Sequence, residues 1–186
     1  MKKTYKIGFF GALIYIIFEL FIFFSGYSFH IYTSIIAFGV NSLLLLIIVA
    51  YSIISEYKKT NYASFINDIK SGIQTTAIYS VIIALFIFSY YRWINPEYPI
   101  LRKQHLIELV NDEQSMNKLS HAHKNSNPEL YDGKSEGDLI DMQEKNIILI
   151  MDSSKALPIT LFSLMLLGIF YSFFITAFNR LILSRL

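Results

Sequence analysis

Cysteine is absent from this 186-residue chain. That excludes disulfides, thiolate metal ligands, a cysteine nucleophile and a lipidated thiol, and it leaves the redox compartment unmarked. Charge is scarce too. Asp, Glu, Lys and Arg make up 16% of the residues, against about 25% in an ordinary soluble domain. No basic cluster of the kind that follows a phosphate backbone occurs, so no nucleic-acid partner is expected. There is no serine, histidine and acid set, no paired-carboxylate spacing and no phosphate-cradling glycine loop in a convincing context. With neither a catalytic motif nor a cofactor fingerprint, the expectation is a non-enzymatic protein with no cofactor and no resident metal. His105, His121 and His123 lie among many acids, and histidine is a common metal ligand, but a bare His-x-His in a polar loop reads as solvated side chains. His30 reads as an interfacial residue.

What is present is apolar. Hydrophobic residues form 54% of the chain, and they fall into four runs over about 7–24, 34–54, 72–93 and 159–178. Some twenty helical residues at 1.5 Å each reach about 30 Å, the thickness of a bilayer's hydrocarbon core. Each run is therefore expected to span. The first follows Met1, Lys2 and Lys3 and has the outline of a signal peptide. Its length, the internal Glu19 and the lack of a small-x-small site after it favour a retained span. The third run is entered through Lys70 and Gly72. It closes on the interfacial group Tyr90, Tyr91, Arg92 and Trp93, followed by Asn95, Pro96 and Pro99, where a residue before proline is pushed out of helical geometry. Pro158 fits the first turn of the fourth helix.

The fold class that follows is all-α, an integral membrane four-helix bundle with a mostly helical or irregular extramembrane segment between the third and fourth spans. Residues 1–186 are expected to form a single membrane domain, with about 97–157 outside the bilayer. Within that segment about 101–110 reads as a short helix and 121–133 as a loop. Ser135 followed by Asp138 has the form of a capping box opening a second helix. The apolar stretch 147–151 is too short to span and is expected to rest on the bilayer surface or the mouth of the bundle. Residues 55–71 carry Tyr62, Phe65, Ile66 and Ile69 on one helical face. They read equally as a helix on the headgroup layer or as a polar loop.

Charge assigns the sides. The termini and the 55–71 connection carry Lys2, Lys3, Lys6, Lys58, Lys59, Lys70, Arg180 and Arg185 against Glu56 and Asp68, while the 25–33 link carries no formal charge. The bias of Lys and Arg over short loops puts the termini in the cytoplasm. The 97–157 segment lies on the other side and is acidic, with seven Lys and Arg against eleven Asp and Glu.

Helices in lipid associate through close packing of small residues and through interhelical hydrogen bonds. Each run carries a stripe suited to this: Gly8, Gly11, Ala12, Tyr15, Glu19 and Gly26 in the first; Ser34, Ala37, Asn41 and Ser52 in the second; Thr76, Ser80 and Ala84 in the third; Gly168, Ser172 and Thr176 in the fourth. The remaining Ile, Leu and Phe faces would meet lipid or a partner subunit. Glu19 is the one acid within these four apolar runs. An ionised carboxylate at the bilayer centre costs about 2.5–3.5 kcal/mol on insertion scales, so it should face the bundle, pair or protonate. It lies level with Ser34 and Thr160 and within conceivable reach of Arg92. Glu19, Asn41 and Arg92 are thus the candidate intramembrane polar site. One reading is a proton or ion site, continued inward only by Asn41 and Gln74. The other is a structural carboxyl paired to Arg92 or bonded to hydroxyls.

The pattern resembles an uncharacterised bacterial membrane family, domain-of-unknown-function family 4199. The likeness rests on Ser64-Phe65, Lys70 and Gly72 before the third span, Tyr90-Tyr91 and Ile94-Asn95-Pro96 closing it, a helix over about 135–143, and Gly168 in the last span. The resemblance implies a four-span inner-membrane protein of Gram-negative bacteria, with the 97–157 segment periplasmic, and no known activity. The functional expectation is an accessory or assembly subunit of an envelope complex. Its partners would be the bilayer and a protein engaged through the 97–157 segment or the lipid-facing aromatic faces. The alternative is a small transporter or channel-like oligomer that uses Glu19.

Overall fold

The computed structural model describes residues 3–27, 31–59, 64–111 and 135–183. Four helices in it are long and apolar enough to cross a membrane: α1 (Lys3–Phe24), α2 (Ile31–Lys59), α3 (Phe65–Ser89) and α6 (Ala156–Leu183). Between α3 and α6 come a π-helical turn (Tyr90–Ile94), α4 (Glu97–Asn111) and α5 (Glu136–Ile150). The protein is an all-α membrane protein. The chain divides into two compact units, residues 1–89 with 157–186 and residues 90–156.

The ends of the helices are written locally. Gly26 takes φ 77°, a left-handed conformation that a side chain would strain, and its N–H reaches the Phe23 carbonyl at 3.1 Å to close α1. Ser64 caps α3 by accepting from the Asn67 N–H. The π turn is closed by the Asn95 N–H on the Tyr90 carbonyl at 2.7 Å, and Pro96 then stops the helix. Ser135 and Asp138 form the reciprocal capping box that opens α5. The 55–71 connection is neither a separate surface helix nor a plain loop. Residues 55–59 prolong α2 and 65–71 form the first turns of α3, leaving only residues 60–63 outside those described.

Pairs of touching residues give the direction of each helix in the first unit. Thr4 lies at Thr75 and Gly11 at Tyr79, so α1 and α3 run parallel. Ser52 meets Ser71 while Asn41 meets Tyr79, so α2 runs against α3. Gly168 meets Thr76 and Arg180 meets Asp68, so α6 also runs against α3. The bundle is therefore up-down-up-down, and Thr4, Ser52, Asp68 and Arg180 share one end of it. Helix α3 is the central member: 44% of its apolar window is buried, against 22% in each of the other three. A cluster of Ala12, Tyr15, Leu45, Val49, Tyr79 and Ile83 packs around it. The outward faces are large and apolar, with Phe21 70%, Phe38 71% and Phe162 66% exposed. A water-soluble bundle would bury such residues, whereas a bilayer accepts them.

Two glycines set the spacing between α3 and α6. A Cβ on Gly168 would collide with the side chain of Thr76, and one on Gly72 with that of Ser172. Gly168→Ala is thus expected to cost about 1–3 kcal/mol through overpacking, with Thr76→Ala restoring part of it. Gly39 has open space around it, so Gly39→Ala should be neutral. Unfolding of the three variants in detergent checks this; equal midpoints for Gly168→Ala and Gly39→Ala would remove the close approach from the argument.

Candidate functional site

Two polar seams run along α3, each repeating every fourth residue. This is the spacing that keeps side chains on one ridge of a helix. Ser71, Thr75 and Tyr79 face α1 and α2, whereas Asp68, Gly72 and Thr76 face α6.

The first seam is a chain of hydroxyls. Thr75 Oγ1 lies 2.7 Å from Ser52 Oγ, Ser52 Oγ lies 2.9 Å from Ser71 Oγ, and Ser71 Oγ lies 3.3 Å from the Ser52 carbonyl. Each hydroxyl can donate once along that path, so the three protons are accounted for, which a dry site demands. The Thr4 carbonyl of α1 stands 3.3 Å from Thr75 Oγ1 and brings the third helix in. Two turns along, the Tyr79 hydroxyl donates to Asn41 Oδ1 at 2.6 Å. Ser42, beside Asn41, bonds the Tyr171 hydroxyl of α6 at 2.7 Å.

The second seam ends in charge. Arg180 Nη2 donates to Asp68 Oδ2 at 3.0 Å; the carboxyl is fully buried and the guanidinium side chain is 36% exposed. Asp68 lies in the first turn of α3 and Arg180 in the last turn of α6, where each sign suits the helix dipole. The guanidinium also sits over the Phe65 ring at 5.7 Å, and that ring meets Phe173 edge-on. Ser172 bonds back to the Gly168 carbonyl at 2.7 Å. The hydroxyls of Thr76, Ser80 and Thr176 are buried there without a hydrogen-bond partner.

The residues singled out from the sequence are placed as follows. Glu19 is half-buried near the far end of α1, its carboxyl bonded to Tyr15 one turn earlier and Oε2 buried without a partner. Asn41 is in the same unit but is taken up by Tyr79. Gln74 is half-buried on α3. Arg92 belongs to the second unit, where its exposed side chain lines a cleft. His30, His121 and His123 lie outside the described residues, and His105 is half-buried on α4. Among the described residues no three His, Asp or Glu side chains stand together as a metal would need.

The Asp68–Arg180 pair and the Ser52, Ser71 and Thr75 chain were not singled out. Their signal is the fourfold spacing of 68, 72 and 76 beside that of 71, 75 and 79, with an acid and a base at the same end of antiparallel spans.

Comparison with protein-family models matches residues 6–185 to "Protein of unknown function (DUF4199)". Comparison with curated proteins and with solved structures finds no match.

The buried pair makes an asymmetric prediction. Arg180→Gln strands a carboxylate with no access to water and should cost about 3 kcal/mol. Asp68→Asn leaves a guanidinium that still reaches solvent and should cost less. The double variant should be more stable than Arg180→Gln alone. Unfolding of the three in detergent decides it, and equal costs for the two single variants would contradict a buried uncompensated acid.

Proposed function

The chain belongs to the DUF4199 family, and from that premise we propose that it is a non-enzymatic multi-pass protein of a bacterial inner membrane, serving as an accessory or assembly subunit of an envelope complex. Its termini lie in the cytoplasm and its 97–157 segment in the periplasm. The observation that carries this reading is the use made of the bundle's polar side chains. The chain of Ser52, Ser71 and Thr75, the Tyr79–Asn41 bond and the Asp68–Arg180 pair all join helix to helix. These polar groups, which could otherwise line a conduit, are engaged as fastenings.

The outer face of α6 supports the same reading. Phe170, Phe174 and Phe178 are each more than half exposed and stack one turn apart, with ring centroids 6.3 and 6.5 Å apart and planes within 12°. A rigid aromatic ladder presented outward suits a helix of a partner subunit as well as lipid.

A second reading is favoured by one observation, the buried Glu19 Oε2 without a hydrogen-bond partner. A half-buried carboxyl bonded to a tyrosine, with one oxygen left unpartnered, suits proton or ion transfer, and the protein would then be a small transporter or channel-like oligomer.

Tagged purification from native membranes in mild detergent separates the two. A stoichiometric protein partner is expected. A lone monomer or homo-oligomer, together with a proton or ion flux in proteoliposomes that Glu19→Gln abolishes without unfolding the protein, would replace the subunit reading by the transport one. For orientation, reporter fusions after Tyr57 and after Lys124 should report cytoplasm and periplasm respectively. A cytoplasmic signal at Lys124 would overturn the assignment.

A further inference from the structure

The second unit contains a cleft of about 440 Å³, within the range of small-ligand pockets, roughly 300–1,000 Å³. Its charged lining is Arg92, Lys103 and Asp152, with Ser153 beside them, and its apolar walls include Tyr91, Ile100 and Met151. Arg92 and Lys103 have no ion pair or hydrogen bond with any other group among the described residues. Two unpaired cations facing one cleft suit a phosphate, which accepts from several donors at once.

Asp152 is the third charge. Its Oδ1 accepts from the Ser154 backbone N–H at 2.9 Å and from the Ser154 hydroxyl at 2.8 Å. That hydroxyl first, then the N–H, with a smaller contribution from the Lys155 charge, holds the carboxyl below its ordinary range, so it is an anion at neutral pH. Both bonds fall on Oδ1, which leaves Oδ2 for a donor from outside. A purely anionic ligand would meet this carboxylate as a like charge. A ligand carrying a phosphate and an N–H-bearing cation satisfies all three side chains.

Two of the cleft's residues border the spans in sequence. Arg92 follows the last residue of α3 by three positions, and Asp152 precedes the first residue of α6 by four. Arg92 lies at the end of one candidate span and Asp152 just before the next, and residues at span ends meet phospholipid headgroups. Trp93, 71% exposed, stands beside Arg92, and Ile148, Leu149 and Ile150 are each about half exposed, next to Met151. Such apolar surface beside a charged cleft suits an amphiphile with acyl chains.

We propose that this cleft binds the phosphoethanolamine headgroup of a phospholipid from the adjoining leaflet, its phosphate on Arg92 and Lys103 and its ammonium on Asp152. Phosphatidylcholine fits less well because its quaternary nitrogen has no hydrogen to donate to Oδ2.

The test is native mass spectrometry of the full chain in mild detergent, titrated in parallel with phosphatidylethanolamine, phosphatidylglycerol and phosphatidylcholine. Phosphatidylethanolamine should be retained preferentially. Arg92→Gln with Lys103→Gln should weaken that retention about tenfold or more, the scale of losing hydrogen bonds to a charged group. Arg92→Lys with Lys103→Arg should keep most of it. Asp152→Asn should erase the preference over phosphatidylglycerol while binding persists. All the side chains changed are exposed or half-exposed, so the variants should melt with the parent, and the charge-preserving pair controls for damage to the fold. Equal retention of the three lipids, a preference for phosphatidylglycerol, or indifference to the loss of both cations would overturn the proposal. So would displacement of the lipid by soluble glycerophosphoethanolamine at matching concentration, which would assign the cleft to a free headgroup.

Discussion

A helix leaving water for lipid gains nothing further by touching another helix, because hydrocarbon tails are as apolar as leucine. The bundle therefore depends on how closely α3 can be approached and on what is bonded once it is. Gly72 and Gly168 allow the α3–α6 approach, and on the opposite ridge Gly8 and Gly11 admit α1. At these distances hydroxyls one turn apart meet across the seam. The Ser52, Ser71 and Thr75 chain fastens α2 to α3 with groups that cost little to bury because every proton finds an acceptor. Removing a small residue from this arrangement would part the hydroxyls as well as open a gap, so packing and hydrogen bonding here act together.

The architecture was legible in the sequence because the bilayer imposes a length, and four runs of that length cannot be hidden. Most of the four stripes lies buried, since small and hydroxylated residues at helical spacing have few other uses in lipid; Glu19, Ser34 and Asn41 are half-buried, and Gly26 is exposed because it serves the turn after α1 instead. The polar core was less legible, for a physical reason. Glu19 stands out as a charge inside an apolar run, whereas Asp68 and Arg180 lie at helix ends where charge is ordinary. Their burial comes from α3 and α6 extending beyond their apolar runs, as residues 65–71 do at the start of α3. A run of hydrophobicity marks where lipid is, and the helices go further than the lipid does.

That extension also explains why the ion pair can exist. Deep in hydrocarbon an Asp and an Arg would each be expensive to desolvate, and their attraction would barely offset the cost. At the helix ends the guanidinium keeps contact with solvent, the dipoles of α3 and α6 favour both signs, and the Phe65 ring covers one face of the cation. The pair fixes the register of α6 against α3, and a shift by one turn would put Asp68 opposite Thr176 or beyond the helix end.

The second unit follows a different logic. Among the described residues, the buried apolar cluster between α4 and α5 holds Val110 and Leu139, with Ile140 and Ile147 packed partly against them and a side-chain bond from Asn111 to Glu144. The capping box at Ser135 and the stacked rings of Tyr91 and Tyr98, 5.5 Å apart, give local order to each piece, but neither closes the unit. The chain enters from α3 and returns to α6, so loop closure has already been achieved by the bundle, and the remaining entropy to be overcome is correspondingly small. A segment tethered at both ends in this way keeps Arg92, Lys103 and Asp152 around an open cleft.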